Sequence, residues 1–285
     1  MYSTLIQVDQ LQALICDGKK LMVFDCSFEL MNPAEGVKLF ESSHIPGAVY
    51  ADLDTNLSAK GDTTAASGGR HPLPSREKFA AWLNSVGFSN DMQAVVYDRN
   101  NSTYCGRLWW MLQWAGHEAA ALLDGGLQAW QKDDGNVETG TQTARPAGKF
   151  TLSAELYSLF ATKDVAGNLG KPAQTVMDAR AAARYRGDTE PLDPQAGHVP
   201  GALNRPFTDN LGPDGKFKPA DVLKAEFETI LAGRNPATVV HHCGSGVTAT
   251  PNILAMTLAG LGKTGLYAGS WSEWSSTPGL PVAIG

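Results

Sequence analysis

The strongest constraint on the fold of this chain is an internal repeat. The segment SSHIPGAVYADLD (42–54) resembles the segment AGHVPGALNRPFTDN (196–210). Further along, residues 95–116 align with residues 239–260 without a gap. Because matched blocks that recur in the same order are typical of one structural unit used twice, we predict two copies of one fold.

Each copy shows the same order of predicted elements. An apolar stretch comes first, and a short strand follows the H-[IV]-P-G-A turn. Then come an amphipathic segment, a second apolar strand, a loop and an apolar helix; these last elements fall at 75–87, 94–98 and 106–115 in the first copy and at 219–233, 237–242 and 250–260 in the second. Strands that alternate with helices predict the α/β class, here two tandem domains, each a mainly parallel sheet flanked by helices.

The boundary between the copies is predicted from composition. The stretch around residues 133–150 is polar, rich in Gly and Thr, and without periodicity. Such segments are typical of linkers. We therefore predict an N-terminal domain over 1–135, a linker over 136–152 and a C-terminal domain over 153–285.

Composition excludes several classes of protein. Hydrophobic residues make up 43% of the chain, and the net charge is −6 without a Lys/Arg cluster, which argues against a nucleic-acid partner. No apolar run reaches the ~18–20 residues that a membrane span needs. The N-terminus lacks a signal-peptide pattern, and the four cysteines show no CxxC spacing. We expect a cytoplasmic protein with reduced thiols and no membrane association.

The stretch VVHHCGSGVTAT (239–250) carries the strongest chemical signal. Its glycines let the backbone curl tightly between a strand and a helix, so that several amide groups point toward one place. The amides of Gly244, Ser245, Gly246, Val247 and Thr248 are the candidates to bind an anion there. A thiol in this setting favours the thiolate, which is the nucleophilic form. Cys243 is therefore the predicted catalytic nucleophile.

The first copy keeps this scaffold without its chemistry. Arg99 aligns with Cys243, and the loop RNNST lacks both glycines. If the glycines served folding alone, both copies would need them. This difference favours a functional loop in the second copy over an ordinary turn.

Two other interpretations of the loop fit less well. A metal site is disfavoured because His241 and His242 are adjacent on a strand and point to opposite faces. A cysteine phosphatase is disfavoured because the arginine that grips phosphate, six positions after the cysteine, is replaced by Ala249.

Taken together, the H-[IV]-P-G-A turns, DGG…W and AGSW…W, CGSGVTA and the duplication resemble the two-domain rhodanese and mercaptopyruvate sulfurtransferase family. The resemblance covers nearly the whole chain. It implies a catalytically inactive N-terminal domain and an active C-terminal domain. It also implies transfer of a sulfane sulfur through a Cys243 persulfide, with no cofactor and no metal, from a small anionic donor to a thiol, thioredoxin or cyanide.

Within that family the loop separates subgroups by donor. Animal enzymes that prefer thiosulfate carry basic residues after the cysteine, whereas mercaptopyruvate enzymes carry Gly and Ser, as Gly244 and Ser245 do here. The resemblance therefore favours 3-mercaptopyruvate. A loop without Lys or Arg also offers less compensation for the two charges of thiosulfate.

Further roles follow from the resemblance, position by position. It implies that Asp54 works with Ser245 in a proton relay, that His71 lies at the substrate site and that Arg184 binds the donor carboxylate. A second substrate arginine of the family is missing from EPLDPQAGHVPGA, and Arg70 and Arg186 are the candidates to replace it.

Alternatives stay open at this point. Asp54 could cap a helix, Arg184 could form a surface ion pair and His71 could be an ordinary loop residue. The missing arginine leaves thiosulfate open as the donor. A sulfur-carrier protein without turnover is a third possibility.

Overall fold

The computed structural model describes all 285 residues, which form two compact units. The first unit comprises Met1–Thr64, Pro74–Leu156 and Asp214–Lys216. The second unit comprises the remaining segments, Ala65–Leu73, Tyr157–Pro213 and Phe217–Gly285. Each unit therefore includes a short segment whose sequence neighbours belong to the other unit.

The first unit is built on a five-stranded sheet in which every strand pair is parallel. The strand order across the sheet is β1-β5-β4-β2-β3. In chain order its elements are β1 (Leu5–Ile6), α1 (Val8–Cys16), β2 (Leu21–Asp25), α2 (Ala34–Ser42), β3 (Val49–Tyr50), α3 (Arg76–Ser85), β4 (Gln93–Tyr97), α4 (Cys105–Trp114), β5 (Ala120–Leu123) and α5 (Gly126–Lys132).

The second unit repeats this plan with a four-stranded parallel sheet in the order β7-β6-β8-β9. Short 3₁₀ turns lie at Phe207–Asn210 and Pro236–Thr238. Its elements are α6 (Thr162–Gly167), β6 (Thr175–Asp178), α7 (Ala182–Arg186), β7 (Leu203–Asn204), α8 (Ala220–Leu231), β8 (Val239–His242), α9 (Thr250–Leu258), β9 (Gly265–Leu266) and α10 (Ser270–Trp274).

The predicted fold class is confirmed: each unit is a parallel sheet flanked by helices. β8 begins two residues later than the predicted strand, because Pro236 starts a 3₁₀ turn that the Asn235 side chain caps by accepting from the amide of Ala237. All four residues of β8 are buried, as expected for a strand with neighbours on both edges and helices on its faces.

The polar stretch that follows α5 contains no helix or strand up to residue 161. It is tied to the first unit at two points. The backbone of Glu138 forms an antiparallel bridge with His44, and Nη2 of Arg145 donates to the carbonyl of Gly47 at 2.7 Å. No helix anywhere in the chain combines the length and apolar character required to span a bilayer.

The central strand of the second unit buries a histidine that makes no hydrogen bond through either ring nitrogen, His241. Burial, reinforced by His242 and Arg205, lowers the pKa of His241 from 6.5 to about 3. The folded chain therefore takes up this proton far less readily than the unfolded chain. Its contribution to stability is complete above pH 6.5 and is lost as the pH falls toward 3.

This arrangement predicts that His241→Leu flattens the acid side of the stability profile. For the parent protein, His241 alone should lower the free energy of unfolding by about 2 kcal/mol between pH 7 and pH 5. The leucine variant lacks that loss, so its fall over the same range should be smaller by that amount. Urea unfolding at pH 7, 6 and 5 measures both slopes, and equal slopes would contradict the prediction.

Candidate active site

The cysteine loop lies at the carboxyl end of β8, which is flanked in the sheet by β6 and β9. Residues 243–249 connect this strand to α9. Ligand sites of parallel sheets are commonly found at this edge, where loops connect strands to helices. The Cys243 side chain is 1% exposed, so only a small reactant or a rearranged loop gives access to its sulfur.

The loop is fixed from outside by the turn that opens α10. The Oγ of Ser270 accepts a hydrogen bond from the amide of Cys243 at 3.1 Å. The amides of Trp271 and Ser272 donate to the carbonyls of Cys243 and Gly244, each at 2.9 Å. Ser270 itself has a φ of 56°, which helps to bring these groups together. This support could not be predicted from the sequence, because nothing within AGSWSEW marks a partner so distant along the chain.

Gly246 is required by the path of the backbone. Its φ is +74°, a conformation that residues with a Cβ rarely adopt. A Cβ at this position would also overlap the carbonyl oxygen of Ala268. The tight turn predicted from the sequence thus depends on a glycine at this residue for two independent reasons.

Most of the loop amides have no partner within the protein. The amide groups of five loop residues donate no hydrogen bond to any protein atom: Gly244, Ser245, Val247, Thr248 and Ala249. Buried backbone donors are nearly always paired, so a set of unpaired amides beside a thiol indicates a place for an anion or an ordered solvent molecule.

The corresponding loop of the first unit is already filled by a side chain. Oδ1 of Asp98 accepts from the amides of Asn100 and Ser102 at 2.9 and 3.0 Å. Oδ2 accepts from the amides of Tyr104 and Cys105 at 2.8 and 2.9 Å. His242 aligns with Asp98, so the second unit lacks this internal carboxylate.

Arg99, which aligns with Cys243, is also engaged in the first unit. Its Nε donates to Oγ of Ser27 at 2.9 Å, and its Nη2 lies 3.3 Å from a carboxylate oxygen of Asp25. The two loops therefore differ in the pairing of their amides as well as in sequence. The first unit pairs most of its loop amides internally, and the second leaves most of them open.

His71 is placed directly at the loop. It belongs to the second unit through the segment Ala65–Leu73, and its side chain is 2% exposed. Nδ1 of His71 and Oγ of Ser245 share a hydrogen bond of 2.7 Å. The structure thus brings together two of the residues predicted to act at the site.

Arg184 lies on α7 and faces the same loop. A methyl group built on Gly244 would lie 3.4 Å from its Nη1. Glu190 and Asp193 accept from its Nη2 at 2.6 and 3.1 Å, which holds the guanidinium in one orientation. Nη1 has no hydrogen-bond partner in the protein and remains available for a ligand.

Asp54 belongs to the first unit, where Nζ of Lys60 pairs with its carboxylate at 2.6 Å. The carboxylate that caps the local turn is that of Asp52, which accepts from the amides of Asp54 and Thr55 at 2.8 Å each. A relay between Asp54 and Ser245 stays a prediction. Arg186 forms an exposed ion pair with Asp188 at 2.6 Å.

At the base of the loop, His242 is neutral and the carboxylate of Asp178 is charged at pH 7. Burial lowers the pKa of His242, although Asp178 partly opposes this effect. Burial by itself would raise the pKa of Asp178, but His242 and Arg180 outweigh it and lower the pKa below its ordinary value. No group of three or more metal-ligating side chains is assembled in the chain.

Comparison with known proteins agrees with this geometry. The family model of the rhodanese-like domain matches residues 7–133 and again residues 161–277. A probable 3-mercaptopyruvate sulfurtransferase of Pseudomonas aeruginosa is 43% identical, covering 99% of this chain and 98% of that protein. A putative thiosulfate sulfurtransferase of Mycobacterium tuberculosis is 37% identical, covering 99% and 97%.

A solved structure is similar over almost the same length. The crystal structure of SseA from Escherichia coli, described with the 3-mercaptopyruvate enzymes, superposes with a TM-score of 0.79 at 32% identity. The superposition covers 94% of this chain and 99% of that one. With two matching domains and full-length relatives, this chain belongs to the rhodanese family.

Proposed function

We propose that this sulfurtransferase takes a sulfane sulfur from 3-mercaptopyruvate and passes it to a thiol or to cyanide through a persulfide on Cys243. The observation that carries the proposal is the loop of the second unit. It combines a cysteine, a set of amides without protein partners and the unpaired Nη1 of Arg184 beside Gly244.

In the first half-reaction, the Cys243 thiolate attacks the sulfur of the donor. An S–S bond forms, the C–S bond breaks, and its electron pair leaves with the carbon as the enolate of pyruvate. Arg184 binds the donor carboxylate through Nη1, which the protein leaves free. The open amides of Gly244, Ser245, Val247 and Thr248 stabilise the sulfur anion of the persulfide.

One proton leaves Cys243 in this step and one reaches the methylene carbon of the departing enolate. Ser245 and His71, which share a hydrogen bond of 2.7 Å, are the groups we assign to this transfer. Either direction of transfer is served by the pair, because a hydroxyl and an imidazole each donate and accept. Asp54 is retained as a candidate third member.

In the second half-reaction, the thiolate of an acceptor or a cyanide ion attacks the outer sulfur of the persulfide and regenerates Cys243. Thioredoxin is one thiol acceptor that fits this chemistry. The donor product leaves before the acceptor reacts, so the scheme requires ping-pong kinetics. The first unit, with Arg99 in place of the cysteine, acts in this scheme as a catalytically inactive domain. The four free cysteines agree with a reducing compartment such as the cytoplasm.

Thiosulfate is the second candidate donor. The relative from Mycobacterium tuberculosis carries that name at 37% identity over nearly the full length. Against it stands the loop, which has no Lys or Arg between residues 243 and 249 to balance a dianion. The monoanionic donor is therefore favoured.

The test is steady-state kinetics with both donors and cyanide as the common acceptor. We expect kcat/KM to be at least about tenfold higher for 3-mercaptopyruvate than for thiosulfate. The reason is that residues 243–249 contain no Lys or Arg to balance the second negative charge of thiosulfate, which weakens its binding. Parallel lines in double-reciprocal plots against cyanide are expected for either donor. A higher kcat/KM for thiosulfate would contradict the proposal and identify thiosulfate as the donor.

A further inference from the structure

The residue after the nucleophile faces two guanidinium groups. A methyl group built on Gly244 would lie 3.2 Å from Nη2 of Arg70 and 3.4 Å from Nη1 of Arg184. Arg184 approaches from α7, whereas Arg70 is carried by the segment Ala65–Leu73 of the same unit. The space that a side chain at residue 244 would fill is therefore bordered by positive charge.

The two guanidinium groups are joined by one buried carboxylate. Oδ1 of Asp193 accepts from Nη1 of Arg70 at 2.6 Å, and Oδ2 accepts from Nη2 of Arg184 at 3.1 Å. The side chain of Asp193 is 3% exposed, so this bridge is shielded from solvent. Asp193 therefore fixes both cations in one arrangement relative to the loop.

Several donors of these arginines remain unused. Nε of Arg70 is buried and has no hydrogen-bond partner. Nη2 of Arg70 and Nη1 of Arg184, the two atoms nearest to Gly244, also donate to no protein atom. Buried donors without partners are costly, and guanidinium groups bind carboxylates through paired N–H groups.

The net charge of the surrounding ion pairs indicates why Arg184 alone does not attract an anionic donor. Arg70 and Arg184 belong to a cluster of ion pairs that contains three cations and three anions: Asp178, Arg180, Arg184, Glu190, Asp193 and Arg70. Without the charge of Arg70, the cluster would carry one net negative charge and would repel an anionic donor. With Arg70 it is neutral and keeps unpaired donors.

The segment that carries Arg70 is shaped to place it there. The amide of Arg70 donates to Oγ of Ser272 at 3.0 Å. Gly69 has a φ of +84°, and a Cβ on it would lie 2.5 Å from the carbonyl oxygen of Gly269. A Cβ on Gly68 would lie 2.6 Å from Oε1 of Glu273. The paired glycines before Arg70 thus allow the backbone to approach α10 closely.

We propose that Arg70 is a substrate-binding residue, which with Arg184 binds the carboxylate of the donor, and that Asp193 positions both. The assignment of the donor rests on the proposed function. Arg70 thereby supplies the second positive charge of the donor site. It comes from the segment between β3 and α3, whereas the resemblance placed the second arginine in the stretch before GHVPGA.

The first test is kinetic and uses the full-length enzyme. Arg70→Met keeps the length of the side chain without its charge, and we expect it to raise KM for 3-mercaptopyruvate so that kcat/KM falls about 10- to 100-fold. Arg70→Lys should recover part of the loss. Arg234→Met is the matched control, because Arg234 is exposed, lies before β8 rather than after it, and donates to the carbonyl of Leu231, and it should match the parent.

The second test does not depend on the donor. Iodoacetate and iodoacetamide alkylate Cys243 by the same reaction, but only iodoacetate carries a carboxylate. We expect Arg70→Met to lower the ratio of the iodoacetate rate to the iodoacetamide rate about tenfold, whereas Arg234→Met leaves the ratio unchanged. A loop that was merely disordered by the substitution would change both rates together.

The outcomes separate the two proposals. An unchanged rate ratio in Arg70→Met, or equal losses with both reagents, overturns the assignment of Arg70. If the parent enzyme does not use 3-mercaptopyruvate, the proposed function fails, and the alkylation ratio still decides whether Arg70 attracts anions to the thiol.

Discussion

Cys243→Ser is expected to lower sulfur transfer by at least about 10³-fold with every donor. The serine hydroxyl is not ionised at neutral pH and cannot hold an additional sulfur atom in a stable persulfide. The replacement has nearly the same volume, and residue 243 takes part in its hydrogen bonds to Ser270 and Trp271 only through its own main-chain amide and carbonyl. The loop should therefore keep its structure, and steady-state kinetics will report the chemistry alone.

The matched control is the exposed thiol of the first unit, Cys16. Cys16→Ser should leave turnover unchanged. Mass spectrometry of the parent after exposure to donor should find one added sulfur atom on Cys243, and none in the Cys243→Ser variant. Appreciable turnover by that variant would remove Cys243 from the mechanism.

Gly246→Ala is expected to damage both the fold and the activity. The left-handed backbone and the overlap with the Ala268 carbonyl together should lower the free energy of unfolding by about 2 to 4 kcal/mol. The displaced loop amides no longer surround the sulfur, so kcat should fall by about 10²-fold or more in the molecules that remain folded. Chemical denaturation and kinetics below the unfolding transition measure the two effects separately.

Gly262→Ala provides the comparison for this prediction. Gly262 has a φ of +89°, but a Cβ there meets no atom within 4 Å. Gly262→Ala should therefore lower the free energy of unfolding by about 1 kcal/mol, which is the cost of the left-handed backbone conformation alone, without loss of activity. Equal effects of the two substitutions on kcat would mean that contact with Ala268 does not shape the site.

The parts of this protein that could be predicted are those encoded locally. The apolar stretches predicted the buried strands, and the repeat predicted the two similar sheets. The glycines around Cys243 predicted a tight turn between β8 and α9, and the structure contains that turn with a positive φ at Gly246. Each of these inferences needs only residues that are close together in the sequence.

The parts that could not be predicted depend on contacts between distant residues. The hydrogen bond between His71 and Ser245 joins positions separated by 174 residues. Asp193 lies 123 residues from Arg70, and no local pattern identifies it as the bridge to Arg184. The resemblance named His71 and Arg184 as site residues, but their partners emerged only from the packing of the second unit.

The role of Asp98 in the loop of the first unit also could not be predicted from the sequence. The stretch VVYDRNNSTYC predicted only a degenerate copy, because an aspartate at the end of a strand has many uses. The structure shows that Asp98 accepts four main-chain hydrogen bonds. Its carboxylate occupies the position where the second copy keeps its amides open.

The exchange of short segments between the two units has a consequence for any attempt to divide the chain into halves. Residues 65–73 and 214–216 are encoded within one copy and packed with the other. A deletion that removed the N-terminal half would also remove Arg70 and His71 from the unit that contains Cys243. Each compact unit therefore contains a short segment that the sequence of the other copy supplies, so neither half of the chain encodes a whole unit.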